Sequence, residues 1–447
     1  MSEPSLDRRA VAPADALVRG AWLLDPRSGI DGGGDVLLTA GRIAEIGPPG
    51  SLEPPDSAEV IEADGLHAFP AFVDPHVHLR VPGREDEEGI DSGSRAAAAG
   101  GFCAILAMPN TDPVVDSAPV LASLRERARE EAHVPTGFLA AITRSQAGTQ
   151  LTEMAELADA GAAGFSDDGL PVERAGVLRQ ALQYQRLCGR VLALHEEDAT
   201  LSASGVMHEG AVSALLGLAG IPSVSESTMI ARDAALAGYE GGRVHVQHLS
   251  ASESVAAVEQ AKAAGIEITA EVTPHHLTLT DDDVRSLDTG FKMNPPLRTE
   301  EDRQALIDAL ASGAIDCVAT DHAPHSREEK EQPFEVAPMG VTGLETAFAV
   351  LHTELVLPGR LALAVLVERM SAGAAIFGLP APALRRGAPA NLALVDLEAK
   401  WQVGEAGYES RSANCSFAGR DLTGRVRMTI AAGAVAYRER SFAIEAV

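Results

Sequence analysis

Long apolar stretches are missing from this 447-residue chain, and with no run of about 18 apolar residues a membrane-spanning helix is not expected. Cysteine is scarce. Cys103, Cys188, Cys317 and Cys415 stand far apart without CxxC spacing, which argues against disulfides and fits a reducing compartment. Aromatic residues make up 4%, while alanine and glycine abound, so helices must pack through small side chains. Basic residues are outnumbered, 36 against 64 acidic, for a formal charge of −28. Such a surface repels phosphate backbones and anionic lipid, so neither nucleic acid nor membrane is an expected partner. An anionic substrate would need a locally positive site. The opening MSEPSLDRRAVAPADALVRG has no apolar signal core, and a cytoplasmic location is the expectation.

What is present is an alternation. Between Phe69 and about Ala323, eight short apolar runs alternate with amphipathic stretches. The runs are AFVDPHVHL, FCAILAMPN, TGFLAAI, AAGFSDDG, RVLALHEED, RVHVQHLS, IEITAEVTPHH and IDCVATDHAPH. The intervening stretches, such as LTEMAELADAG and TEEDRQALIDALASG, open on N-cap residues and close on glycine. Strand–helix alternation predicts a parallel α/β fold. Polar residues gather at the C-terminal ends of the runs, which favours a (β/α)8 TIM-type barrel over an open sheet, because such barrels carry their chemistry on that rim. The flanks differ. ALVRGAWLLDP, GDVLLTAGRIAEIG and AEVIEADG near the start, with PANLALVDLEA and GRVRMTIAAGAVAYRER near the end, read as antiparallel strands. They predict a small composite β-sandwich domain from residues 1–68 plus 384–447, beside a catalytic barrel over 69–383.

Side chains two apart on a strand share a face, so His76 and His78 of Asp74-Pro-His76-Val-His78 should point together. A histidine pair alone is a weak sign, since most pack in cores or face solvent. Asp168, His195, His248 and Asp321 change that reading. They end the fourth, fifth, sixth and eighth runs, and a barrel brings all these ends to one mouth. Four imidazoles and two carboxylates suffice for two divalent cations about 3.5–4 Å apart.

DPHVHLRVPG, AMPNTDP, GFSDDG, HEED, HLSASES, AEVTPHHL, FKMNPPLR and ATDHAPH together resemble the bacterial dihydroorotases of the amidohydrolase superfamily, over nearly the whole chain. The resemblance implies that His76, His78 and Asp321 hold one metal, that His195 and His248 hold the other, and that Asp168 bridges them. Imidazole-rich ligation suits Zn2+, two per subunit. Many amidohydrolases use a carboxylated lysine as the bridge, but the first lysine here is Lys262, beyond the fourth run, so a carboxylate of FSDDG must serve. Spacing leaves Asp167 and Asp168 equivalent; the family pattern points to Asp168.

The implied activity is reversible hydrolysis of dihydroorotate to N-carbamoyl-L-aspartate in pyrimidine synthesis. A metal-activated hydroxide would attack the ring amide, and Asp321 would take its proton and pass it to the leaving nitrogen. The substrate carboxylate calls for a fork of donors, and Arg80, two residues past His78 and so expected on the same strand face, can supply it. The resemblance adds Asn110 and His325 to that task, and assigns Asn294 and the loop at Met339–Gly340 to ring contacts. One position departs from the family pattern: Glu87 stands where a lysine is usual, a charge reversal beside an anion site that could weaken binding or shift a loop. The competing readings are another cyclic amidohydrolase (allantoinase or dihydropyrimidinase) and a non-catalytic partner subunit of aspartate transcarbamoylase. A homodimer, or docking to that enzyme, is compatible with activity.

Overall fold

Eight short parallel strands close into a ring. Phe72–Val77 pairs with Phe102–Ala107, which pairs with Thr136–Phe138. Bridges Ala140↔Phe165 and Phe165↔Leu192 carry the ring across the fourth position. Leu192–Leu194, Val244–Val246, Ile268–Val272 and Cys317–Val318 continue it, and the bridge Val77↔His322 returns it to the first strand. The computed structural model describes residues 3–440 and Phe442.

Helices follow the strands in turn: Ile90–Ala99, Ala118–Glu131, Met154–Asp159, Ala175–Cys188, Val224–Glu240, Ser252–Ala263, Glu300–Ser312 and Leu363–Ile376. The alternation read from sequence is therefore a (β/α)8 barrel. Local chemistry sets several ends. The Thr299 side chain accepts from the backbone N–H of Asp302, and Asp302 answers at Thr299, while Gly313 closes the same helix at a φ of 89°. Both faces of the first two strands are buried, as expected where helices cover a parallel sheet.

The two flanks meet in one eight-stranded sheet. Its order runs Ala434–Arg438, Asp421–Ala431, Leu392–Gln402, His67–Pro70, Ala16–Asp25, Ile30–Thr39 and Arg42–Gly47, with Glu59–Glu62 also on Ala16–Asp25. Phe69 pairs antiparallel with Ala393, so opposite ends of the chain share hydrogen bonds. Val18, Leu23, Val36, Ile43, Leu394 and Met428 form its own apolar core. The strand His67–Pro70 runs through Ala71 directly into Phe72–Val77, so this sheet sets where the first barrel strand begins. Phe72 stacks on Phe348 with ring centroids 5.7 Å apart. Among the described residues no helix is long and apolar enough to cross a membrane, and all four cysteines are free and buried.

Candidate functional site

The barrel rim gathers the six residues named from sequence. His76 Nε2 lies 3.4 Å from Asp168 Oδ1 and 3.4 Å from Asp321 Oδ1. His78 Nε2 is 3.0 Å from Asp321 Oδ1 and 3.5 Å from Asp168 Oδ2. His195 Nδ1 and His248 Nε2 stand 2.9 Å apart, at 3.8 and 3.7 Å from Asp168 Oδ1. Asp168 is thus the carboxylate that all four imidazoles approach. Its neighbour Asp167 turns away, accepting from the N–H groups of Ile142 (2.8 Å) and Thr143 (3.0 Å). Two adjacent acids divide, one tying down a loop and the other facing the rim.

Strand alternation alone does not produce this convergence. Arg80, His248 and Asp321 follow their strands and hold left-handed backbone, with φ of 59°, 31° and 47°. Non-glycine residues adopt that region at a cost, and such strain concentrates at functional sites. Arg80 therefore reaches the rim through a turn rather than by sharing a strand face with His78. His245, three residues before His248, also points into the barrel because the turn at His248 breaks the period-two pattern.

Polar groups behind the imidazoles set which nitrogen faces inward. His76 Nδ1 donates to Glu271 Oε1 (2.7 Å), and the other oxygen of Glu271 accepts from His245 Nε2 (2.9 Å). His78 Nδ1 donates to Asn110 Oδ1 (2.9 Å), and Asn110 Nδ2 donates to Asp168 Oδ2 (3.2 Å). His195 Nε2 donates to Glu197 Oε2 (3.1 Å), which also accepts from Asn294 Nδ2 (2.7 Å). These outward bonds leave the lone pairs of His76 Nε2, His78 Nε2 and His195 Nδ1 turned toward the shared centre. Sequence reasoning missed Glu271 and Glu197. Glu271 had a legible signal, an acid inside the barrel strand Ile268–Val272, where a buried charge requires partners.

The electrostatics ask for a cation. Burial alone would raise the carboxyls of Asp168 and Asp321, yet the surrounding imidazoles reverse this and hold both below the usual carboxylate range. Burial would lower His76, but Asp168, Glu271 and Asp321 raise it well above an ordinary histidine. Burial likewise opposes ionisation of Glu271, and His76 with His245 brings it to about 2. His76 Nε2 and Asp168 Oδ1 are buried without a hydrogen-bond partner, and two donor sets lie within 4.8 Å: His76, Asp168 and His248, and His76, His78 and Asp321. Neutral imidazoles and carboxylates suit a divalent cation.

Beside this cluster opens a cavity of about 240 Å³, and its walls include all six residues named for substrate: Arg80, Asn110, Asn294, His325, Met339 and Gly340. Arg80 Nε donates to Pro324 O (3.0 Å), and its Nη2 lies 3.3 Å from His325 Nε2. Glu87 is fully buried behind this pair. It stands 3.3 Å from Arg80 Nε and 3.4 Å from His325 Nδ1, and it also pairs with Arg84. The charge reversal noted in the sequence is therefore compensated locally by two arginines, and the carboxylate sits behind Arg80 rather than in the cavity.

The barrel and its rim define a hydrolytic cyclic amidohydrolase. The family model described as dihydro-orotase-like matches residues 66–254. A dihydroorotase of Anaeromyxobacter dehalogenans is 46% identical over 425 residues, covering 94% of this chain and 98% of its own. One from Halalkalibacterium halodurans is 47% identical over 410 residues, covering 92% and 95%. Among solved structures, the L-hydantoinase of Arthrobacter aurescens superposes with a TM-score of 0.85 at 28% identity, covering 95% of this chain and 96% of its own. The chain belongs to the dihydroorotase family.

Proposed function

We propose that the protein interconverts dihydroorotate and N-carbamoyl-L-aspartate. The observation that carries this reading is the cavity itself, in which His78, His195, His248, Asp168 and Asp321 of the cation-seeking cluster adjoin the half-buried Arg80. His76, His78 and Asp321 would hold one Zn2+ and His195 and His248 a second, with Asp168 between. Bound there, the pair would supply Lewis acidity toward a ring carbonyl and lower the pKa of a water.

The chain's own residues do the rest. Arg80, fixed through Nε by Pro324 and Glu87, presents its remaining N–H groups to the substrate carboxylate, with His325 and Asn110 beside it. Asn294 and the backbone at Met339–Gly340 frame the ring and keep bulk water out. Asp321 takes a proton as the water oxygen adds to the amide carbon, and returns it to the ring nitrogen as the C–N bond breaks. Reversal of the same steps closes carbamoyl-aspartate with loss of water.

The likeness to L-hydantoinase supports a second reading, a cyclic amide without a carboxylate. Against it stand Arg80 and the absence of any lysine before Lys262 to form a carbamate bridge. The test is hydrolysis of dihydroorotate, hydantoin and allantoin by purified protein with metal quantified in the same sample. Turnover of dihydroorotate with about two zinc ions per chain is expected. Action on hydantoin or allantoin alone would overturn the substrate, and activity without divalent metal would overturn the site. Asp168→Ala should lose metal and rate together; normal occupancy in that variant would place the bridge elsewhere. A cytoplasmic location, a homodimer or docking to aspartate transcarbamoylase, and a division into 1–68 plus 384–447 and 69–383 belong to the same proposal.

A further inference from the structure

Arginine supplies nearly all the positive charge of this chain; its lysines are Lys262, Lys292, Lys330 and Lys400. Two of the four, Lys292 and Lys330, are buried, and they serve one loop. Lys292 Nζ donates to the carbonyls of Phe334 (2.6 Å), Glu335 (3.2 Å) and Ala337 (2.7 Å). Lys330 Nζ donates to the carbonyls of Lys292 (3.3 Å), Pro338 (3.1 Å) and Gly340 (2.9 Å). All six acceptors are main-chain oxygens. An ammonium is a point charge with three divergent protons and fits such a cage, whereas a planar guanidinium does not. This explains why lysine stands here in a chain that otherwise uses arginine.

The cage joins three segments, and each carries a wall of the cavity. Lys292 lies two residues before Asn294. Lys330 ends the short helix that begins just after His325. The loop they hold ends at Met339 and Gly340, where Met339 O accepts from His325 Nε2 (2.9 Å) and Gly340 N–H donates back to Lys292 O (2.9 Å). Gly340 has a φ of 133°, and a Cβ there would come within 3.0 Å of His325 Nε2, so the loop is pressed against that ring. Freed from the two ammonium groups, the carbonyls of Phe334, Glu335, Ala337 and Pro338 would lose these donors, while Lys292 O and Gly340 O would keep only Gly340 N–H and Asn414 Nδ2, and the loop would retreat toward water.

We propose that Lys292 and Lys330 are positioning residues for substrate binding, locking the segments of Asn294, His325 and Met339–Gly340 into one wall of the cavity. The inference rests on the substrate reading above. It touches neither the metal cluster nor Asp321, so its signature is a loss of affinity at nearly constant turnover.

The test uses Lys330→Met and Lys292→Met, which keep length and remove the donors. KM for dihydroorotate should rise by about tenfold or more while kcat stays within about threefold. Metal per chain should match the parent, and amide exchange in residues 334–340 should accelerate while that of Phe72–Val77 does not. Lys330→Arg keeps the charge and should behave like the Met variant; parent-like KM in it would overturn the argument from ammonium geometry. A KM within about twofold of the parent, or a fall in kcat alone, would overturn the positioning role even if the loop exchanges faster.

If neither Met variant folds, the parent suffices. Burial, then Lys292, pushes the Lys330 ammonium down to about 7, against the weaker pull of Asp288 and Glu329. Its charge is present below that pH and lost above it, so protection of 334–340, corrected for intrinsic exchange, should fall between about pH 6 and about pH 8.5. Protection of 334–340 no higher than that of an exposed loop at about pH 6, where the ammonium is charged, would overturn the cage. Should the parent fail to act on dihydroorotate, the substrate reading fails, while the exchange measurements still decide the cage.

Discussion

At the scale of single residues, the site depends on groups that never face the cavity. Glu271 fixes His76 by accepting from Nδ1, and a partner of this kind orients a ligand and raises its basicity. Glu271→Gln keeps the shape but offers one fewer anionic oxygen. Metal affinity should drop by about 10- to 100-fold in a competition titration with a chelator; parent-like affinity would remove Glu271 from the assembly. Because His76 holds a proton above the ordinary histidine range, loading must displace that proton, and affinity should be higher at alkaline than at acidic pH. Arg80→Ala should act differently. Metal content should persist while KM for dihydroorotate rises by about 100-fold, the loss of a bidentate charged contact of roughly 3 kcal/mol. Unchanged kinetics would dismiss Arg80 from carboxylate binding.

At the scale of elements, the first barrel strand is the one that must not move, since it presents both His76 and His78. The helix Leu363–Ile376 packs against it through Gly373, where a Cβ would come within 2.9 Å of the Pro75 ring. Proline between Asp74 and His76 has little freedom to yield. Gly373→Ala should therefore destabilise by about 1–3 kcal/mol through overpacking. A thermal scan should show a lower midpoint and weaker metal retention; a midpoint at or above the parent value would mean the helix can slide without cost. The eight alternating runs were readable as elements because apolar periodicity and cap residues are local. The fourth was readable too, although its strand is reduced to bridges around Phe165.

At the scale of the whole molecule, barrel and β-sheet meet around a cavity of about 150 Å³ whose walls include Glu345, Trp401 and Tyr437. The Glu345 carboxylate accepts from the N–H groups of Glu409 (3.0 Å) and Ser410 (3.1 Å), yet burial pushes it up to about 7. A carboxyl raised in the folded state favours folding fully at pH below its unfolded value, and that contribution disappears as pH rises through about 7. Glu345→Gln removes this dependence. The midpoint advantage of the parent over the variant should thus be larger near pH 5 than near pH 8, by about one to a few degrees. An advantage that grows with pH would contradict the direction. The excess of acidic residues acts over the same scale as diffuse self-repulsion, so salt should raise both midpoints together.

The sequence by itself determined the barrel, the antiparallel character of the flanks and the identity of the six rim residues. Each of these follows from short-range periodicity, from side chains at strand ends or from ordered motifs. Only the tertiary structure decided that Asp168 rather than Asp167 faces the cluster, that Arg80 arrives through a left-handed turn, and that Glu87 is neutralised by Arg80 and Arg84. Only it joined Glu271 to His76 across 195 positions, and set two lysines around one loop. The division has a physical reason. Periodicity reports what a residue does for its neighbours along the chain, whereas the partner of a buried charge is whatever the fold brings within hydrogen-bonding reach.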